Sequence, residues 1–302
     1  MNSSKKSRAM EVRKFQLIDL ILNKCLFFIR NIFLVLFLNS AVFSTSALGD
    51  SRPERIVSIS PSLTEILFAI GAGAQVVAVD SYSNYPPEAP TTSLSAYEPN
   101  MEAISAFDPD LVVLSYDIGD LVKGLNSVGI ETMLLPAAVD FEGIIFQVEE
   151  LGKRTGNTEN AIKVAGKMKT EMEDLIDSRR GGKPLRVYHE IDENYYSASS
   201  NSFIGSIYGL LNLINIADKA DKEGYGYPKL SPEYILSANP EIIILPGKDL
   251  EYINKIKIRP GWSAIDAVVE ENFLLLDPDI GSRWGPRIID FAKSVVKQTE
   301  EN

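Results

Sequence analysis

From Arg55 onward the chain alternates between short, uniformly apolar runs and longer stretches whose apolar positions recur every three or four residues. RIVSIS (55–60), QVVAVD (75–80), DLVVLS (110–115) and ETMLLP (131–136) are too short for buried helices and carry no polar face, so they read as buried strands. LRVYHEI (185–191), EIIILP (241–246) and NFLLLD (272–277) repeat the pattern in the C-terminal half. Between them, helices are predicted to start near Thr64, Met101, Leu121, Phe141 and Phe203, and a closing helix runs from Pro286 to Lys297. Strands alternating with helices make parallel sheets, because a parallel pair needs a crossover connection.

One segment departs from this rhythm. TENAIKVAGKMKTEMEDLIDSRR (158–180) has no proline and one glycine, and Ile162, Ala165, Met168 or Lys169, Met172 and Ile176 recur at helical spacing. It predicts a single long helix, ended by GGKP at 181–184. The fold expected is α/β: two Rossmann-like lobes with mostly parallel sheets joined by one long backbone helix. The lobes span 50–156 and 182–302, and the linking helix spans 157–181. One continuous doubly wound sheet is the other arrangement the pattern allows.

An internal repeat favours two lobes. MEAISAFDPDLVVLS (101–115) aligns without a gap on PEYILSANPEIIILP (232–246) at an offset of 131. Glu102 falls on Glu233, Ile104 within one place of Leu236, and Asp108-Pro109-Asp110 on Asn239-Pro240-Glu241. Each unit is a helix, a proline turn and a buried strand. The two glutamates thus occupy equivalent first helical turns, where an acid stabilises the helix dipole by roughly 0.3–1 kcal/mol. That explains each singly. A partner contacted at two points would explain the pair.

The first 49 residues do not belong to this pattern. Seven Lys or Arg against two acids precede IFLVLFLNSAVF (32–43) and the small residues of STSALG. This is the layout of a secretory signal cut after Ala47, or of a retained anchor; the long basic region makes Met10 an alternative start. The one cysteine, Cys25, stands before the main apolar run, so the exported part has no disulfide and its core must hold it unaided.

Charge narrows the partners. The chain carries 30 Lys and Arg against 41 Asp and Glu, net −11; setting aside the seven bases and two acids of the leader leaves −16. Such a surface repels nucleic acid and anionic lipid. A solitary histidine, His189, argues against a multi-histidine metal site. No G-x-S-x-G elbow is present, which leaves an exported hydrolase as a distant alternative.

Ligands of α/β lobes gather at the carboxyl ends of strands. The loops leaving those ends are rich in aromatic and hydrogen-bonding residues: SYSNYPP after 75–80, SYDIGD after 111–114, DENYYSASSNS after 185–191 and DPDIGSRWGPR after 273–276. Pro86 disfavours helix at Tyr85, so that loop is stiff and extended, either capping the core or presenting its rings. Tyrosine offers a broad flat surface and one polar tip at small entropic cost. Asp279 and Arg283, four apart, form either a structural ion pair or a pair that orients polar ligand groups.

RIVSISPSLTEILFAIGAGAQVVAVDSYSNYPPEAP, YEPNMEAISAFDPDLVVLS, GYPKLSPEYILSANPEIIILP and SRWGPRIIDFAK together resemble the helical-backbone solute-binding proteins of ABC importers, across essentially all of 53–298. That group takes up cobalamin, ferric siderophores and haem; the SYSxYPP loop and the DxxxR-x-x-P-R ending most resemble its cobalamin binders. The resemblance implies a monomeric, non-enzymatic, extracytoplasmic protein without a cofactor. It implies that Tyr82 and Tyr97 line the cleft from the first lobe, and Tyr196, Tyr227, Asp279 and Arg283 from the second. Glu102 and Glu233 match the lobe-tip acids that dock onto the permease dimer, which works with its ATPase subunits. A corrinoid such as cobalamin is the expected ligand, with a ferric siderophore or haem as the alternative. Because the linking helix has no hinge sequence, only small lobe movements are expected.

Overall fold

The computed structural model describes residues 52–247 and 249–300. The expected signal or anchor, with Cys25, lies outside the described residues. The first half is built from β1 (Ile56–Ile59), α1 (Pro61–Ala69), β2 (Val76–Val79), α2 (Met101–Ser105), β3 (Leu111–Leu114), α3 (Leu121–Ser127), β4 (Glu131–Leu134) and α4 (Phe141–Arg154). After α5 (Thr158–Arg179) come β5 (Leu185–His189), α6 (Phe203–Leu210), β6 (Leu213–Asn215), α7 (Pro232–Ala238) and β7 (Ile242–Pro246). The chain ends with α8 (Leu250–Lys257), α9 (Asp266–Val269), β8 (Phe273–Leu276), α10 (Pro278–Ser282) and α11 (Ile288–Glu300).

Two four-stranded sheets result, ordered β2-β1-β3-β4 and β6-β5-β7-β8. Every pairing within them is parallel. The central strands β1 and β3 are buried on both faces, which is why β3 reads as unbroken Leu and Val and β1 as Ile and Val interrupted only by Ser58. All of the expected strands are present. β6 was not expected: three residues with an exposed centre give too little pattern to separate it from the end of α6. Helix α1 begins at Pro61, earlier than the expected Thr64, because proline suits a first helical turn.

The repeat is structural down to single hydrogen bonds. At the offset of 131, β1 pairs with β3 as Ile56 with Leu111, and β5 with β7 as Val187 with Ile242. Asp108 and Asn239 both take left-handed backbone, φ 48° and 47°, before their prolines. The Nε of Arg55 donates to the Asp108 carbonyl at 2.8 Å, and that of Arg186 to the Asn239 carbonyl at 2.7 Å. Asp110 accepts from the Arg55 amide at 3.1 Å, as Glu241 does from the Arg186 amide at 3.0 Å. Asn100 and Ser231 cap α2 and α7 by accepting from Ala103 and Tyr234 amides. The turn, Asp-Pro-Asp in one copy and Asn-Pro-Glu in the other, is therefore a device that ties the start of one strand to the start of its neighbour, used twice. Ile104 and Ile235, fully buried, are the apolar anchors of the two helices.

The linking helix α5 has 22 residues, about 33 Å at 1.5 Å per residue. Its buried stripe is Ala161, Ala165, Met168 and Met172, so Ala165, Met168 and Met172 lie on the expected face, while Ile162 is 61% exposed and Ala161 takes its place. The cause is the close crossing with α4, where a Cβ on Gly152 would stand 2.2 Å from that of Ala161. Small residues let the backbones approach, and that contact rather than side-chain size buries Ala161 in place of Ile162. One continuous apolar cluster joins Leu63 of α1, Val148 of α4, Met172 of α5, Ile207 of α6 and Val295 of α11. The outer side of each half keeps a separate core. The halves are thus bonded along the helical layer, and their strand ends are left to form the site.

Candidate functional site

In the first half, β2 is followed at once by Asp80, a buried carboxylate that organises the loop behind it. It accepts from the Tyr82 amide at 2.9 Å and from the Ser83 hydroxyl at 2.6 Å. Burial pushes its pKa above the ordinary carboxylate value, opposed by those hydrogen bonds. The turn it fixes sends Tyr82 outward, where its ring meets that of Tyr97 edge to face at 5.5 Å. Tyr116, just past the end of β3, completes an aromatic wall, and all three residues are more than half exposed.

These rings line a cavity of about 400 Å³ whose floor carries Ser60, Asp80 and Ser115, and whose far side carries Asp279 and Arg283. A second cavity of about 310 Å³ opens on the other half, lined by Tyr227, His189, Ile191, Ile204 and Leu276. Ser282 borders both. Burial pushes the Tyr227 phenol up, and the nearness of Tyr116 adds to it. Of the residues expected at the cleft, Tyr82, Tyr97, Tyr227, Asp279 and Arg283 line these two cavities. Tyr196 lines neither; it is 41% exposed and lies beneath the Lys229 ammonium, 5.8 Å from its ring centre.

Arg283 differs from a free ligand-orienting cation. It is 6% exposed, and its guanidinium is 3.0 Å from each of Glu65, Asp279 and the Tyr82 carbonyl. Glu65 also accepts from Arg287, at 2.9 and 2.5 Å. Asp279 in turn accepts from Asn84 at 3.1 Å. The pair read as either structural or orienting is a strut between the halves that also borders the cavity. Glu65 was missed, although a carboxylate inside LTEILFAI had to meet a cation if that face was buried.

His189 is 5% exposed, and its Nδ1 is 2.6 Å from the Tyr208 hydroxyl. Burial pushes its pKa down to about 4, so it is neutral at neutral pH. Among the described residues no group of three or more His, Cys, Asp or Glu could hold a metal ion. Glu102 and Glu233 stand in the first turns of α2 and α7, making no side-chain hydrogen bond or ion pair among the described residues. Their helices are already capped by Asn100 and Ser231, so neither glutamate is needed to close the helix end.

This two-sheet frame with a cleft at the strand ends is that of a solute-binding protein. The chain belongs to the periplasmic binding protein family, which matches residues 56–280, a family of transport components that bind rather than transform their solutes. It is 28% identical over 249 residues to YvrC, an ABC transporter substrate-binding lipoprotein of Bacillus subtilis, covering 79% of this chain and 77% of that one. It is likewise 28% identical over 249 residues to the vitamin B12-binding protein of Vibrio cholerae, covering 80% of this chain and 87% of the other. Among solved structures, a possible iron-binding, periplasmic solute-binding protein from Staphylococcus epidermidis superposes with a TM-score of 0.72 at 26% identity, covering 82% of this chain and 99% of that one.

Proposed function

We propose that the protein works outside the cytoplasm, captures a corrinoid of the cobalamin type between its two sheets and hands it to the permease of an ABC importer. The observation that carries this reading is the convergence of Tyr82, Tyr97, Tyr116 and Tyr227 from the strand ends of both sheets on two cavities that share Ser282. Such walls bind by removing flat apolar surface from water, at about 25 cal/mol per Å². Their hydroxyls, with Ser60 and Ser115 below, suit a ligand fringed with amides. No reaction and no cofactor is required. The glutamates Glu102 and Glu233, on equivalent helix tips, would meet cationic side chains of the permease, fixing register more than affinity.

The similarity to a possible iron-binding protein favours a second reading, capture of a ferric siderophore or haem. Anionic iron chelates call for cations in the cleft, and among the described residues the one formal cation lining either cavity, Arg283, is balanced by Glu65 and Asp279. That balance favours the neutral, amide-rich ligand. Calorimetric titration with cyanocobalamin, haemin and a ferric hydroxamate side by side tests the choice. The reading expects 1:1 binding of cyanocobalamin with the others weaker. Preference for haemin or the hydroxamate overturns it in favour of the second.

A further inference from the structure

The SYSNYPP loop that carries Tyr82 is held from the opposite half of the chain. Arg283 donates to the Tyr82 carbonyl at 3.0 Å, Asp279 accepts from Asn84 at 3.1 Å, and the Arg287 guanidinium lies 4.3 Å from the centre of the Tyr85 ring. Both arginines are anchored by one buried acceptor, Glu65 on α1, itself 3% exposed. Every one of these contacts links the first half to the segment from α10 to the start of α11.

Two features separate this network from an ordinary ion pair. The other buried cluster, Glu190 with Arg259, Tyr188 and Tyr252, stays within the second half, and pairs such as Lys293 with Glu171 are exposed. Tyr85 is also 42% exposed and borders an open cavity of about 450 Å³ with Glu65, Phe68, Val164, Met168 and Arg287, so its ring is not enclosed by core and the Arg287 guanidinium braces it from one side. Buried ion pairs can often be replaced by apolar residues without loss of stability, whereas a forked guanidinium fixes direction. The geometry fits a role in placement.

We propose that Glu65, Arg283 and Arg287 are positioning residues for ligand capture: they set the distance of the first tyrosine wall from the second half by gripping the backbone and ring of its loop. The proposal rests on the capture reading above, and its test has an arm that needs no ligand. Amide hydrogen exchange at residues 81–85 is measured in the ligand-free protein for the wild type, Glu65→Gln, Arg287→Lys and Arg287→Met. The expected result is exchange about tenfold faster in that loop, with β1 and β3 unchanged. Arg287→Lys is expected to behave like Arg287→Met, because charge without the fork cannot stack and bridge. Since a single change strands a buried charge, the triple variant Glu65→Met, Arg283→Met, Arg287→Leu is included. It is expected to melt near the wild type and still show the loosened loop.

The second arm follows cyanocobalamin release by stopped flow, with haemin as a second probe. Release about tenfold faster at an unchanged association rate is expected. Loop exchange at the wild-type rate in the triple variant overturns the proposal, as does a loosened loop with unchanged release. If the wild type retains neither probe, the capture reading falls and takes the role in capture with it, while the exchange arm still reports whether the network holds the loop.

Discussion

The two halves share a frame and differ in what stands at the ends of their strands. Arg55 and Arg186, Asp110 and Glu241, Asp108 and Asn239 repeat the same hydrogen bonds in the same register. Yet the position held by Ser58 on β1 is held by His189 on β5. In the first half a chain of buried hydroxyls, Ser58 to Thr64 at 2.8 Å and Thr64 to Ser83 at 3.1 Å, ends on Asp80 beneath the tyrosine wall. In the second half the equivalent place holds a neutral imidazole on a buried phenol, beside Glu190 clamped by Arg259. The strand starts carry the device that builds the sheet and stay alike. The carboxyl ends, where the proposed reading places the solute, differ: one cavity has a polar floor of Ser60, Asp80 and Ser115, the other a more apolar wall of Ile191, Ile204 and Leu276.

The outer tips are where the halves should still behave as equals. Charge reversal at both, Glu102→Lys with Glu233→Lys, is expected to abolish uptake in a transport assay while leaving solute binding unchanged; weakened binding would show that the tips are not docking points. Either change alone should give an intermediate loss. Truncating one ring from each wall, Tyr82→Ala with Tyr227→Ala, is expected to weaken binding by roughly 2–4 kcal/mol, about 30-fold to 1000-fold, measured by calorimetry. Unchanged affinity would dissolve the comparison of facing walls.

The chain's one histidine, His189, lies in the second half, so the cores of the halves should respond differently to mild acid. Its folded pKa of about 4 lies below the ordinary 6.5, so the unfolded chain takes up the proton first and stability falls as pH drops from 6.5 towards 4. The loss is on the order of 3 kcal/mol at most, at about 1.4 per pH unit. His189→Gln should flatten that part of a calorimetric Tm profile. The smallest effect concerns the loop before Tyr227. Asp221 accepts from Ser199, Asn201 and the amides of Tyr225 and Gly226, which lower its pKa to about 2. Its contribution is full above the ordinary 3.8 and is lost as pH falls through about 2. Asp221→Asn should therefore lower Tm only slightly at neutral pH, and weaken binding a few-fold in the same calorimetric titration.

Much of this was legible in the chain because it is local. Strand runs, the linking helix and the offset of 131 follow from periodicity and turn chemistry within a dozen residues, and the equivalence of Glu102 and Glu233 comes with the offset. Tyr82 and Tyr116 stand just past β2 and β3, whereas Tyr97 and Tyr227 lie well beyond the strands that precede them and entered through the family resemblance. What could not be read depends on partners far away in sequence. The acceptor that occupies Arg283 lies 218 residues from it, and the burial of Ala161 in place of Ile162 on α5 follows from Gly152 on another helix. Tyr196 shows the same limit: its neighbour Tyr195 takes φ 66° and turns inward against Trp262, leaving Tyr196 under Lys229 and off both cavities.

The central claim is that facing tyrosine walls hold one corrinoid. It is tested most directly by mixing the protein with cyanocobalamin, desalting, and recording the absorption spectrum. The account predicts the corrin spectrum retained at one equivalent per chain, and lost from the Tyr82→Ala, Tyr227→Ala variant. Colourless protein after desalting, or equal retention by the variant, contradicts it.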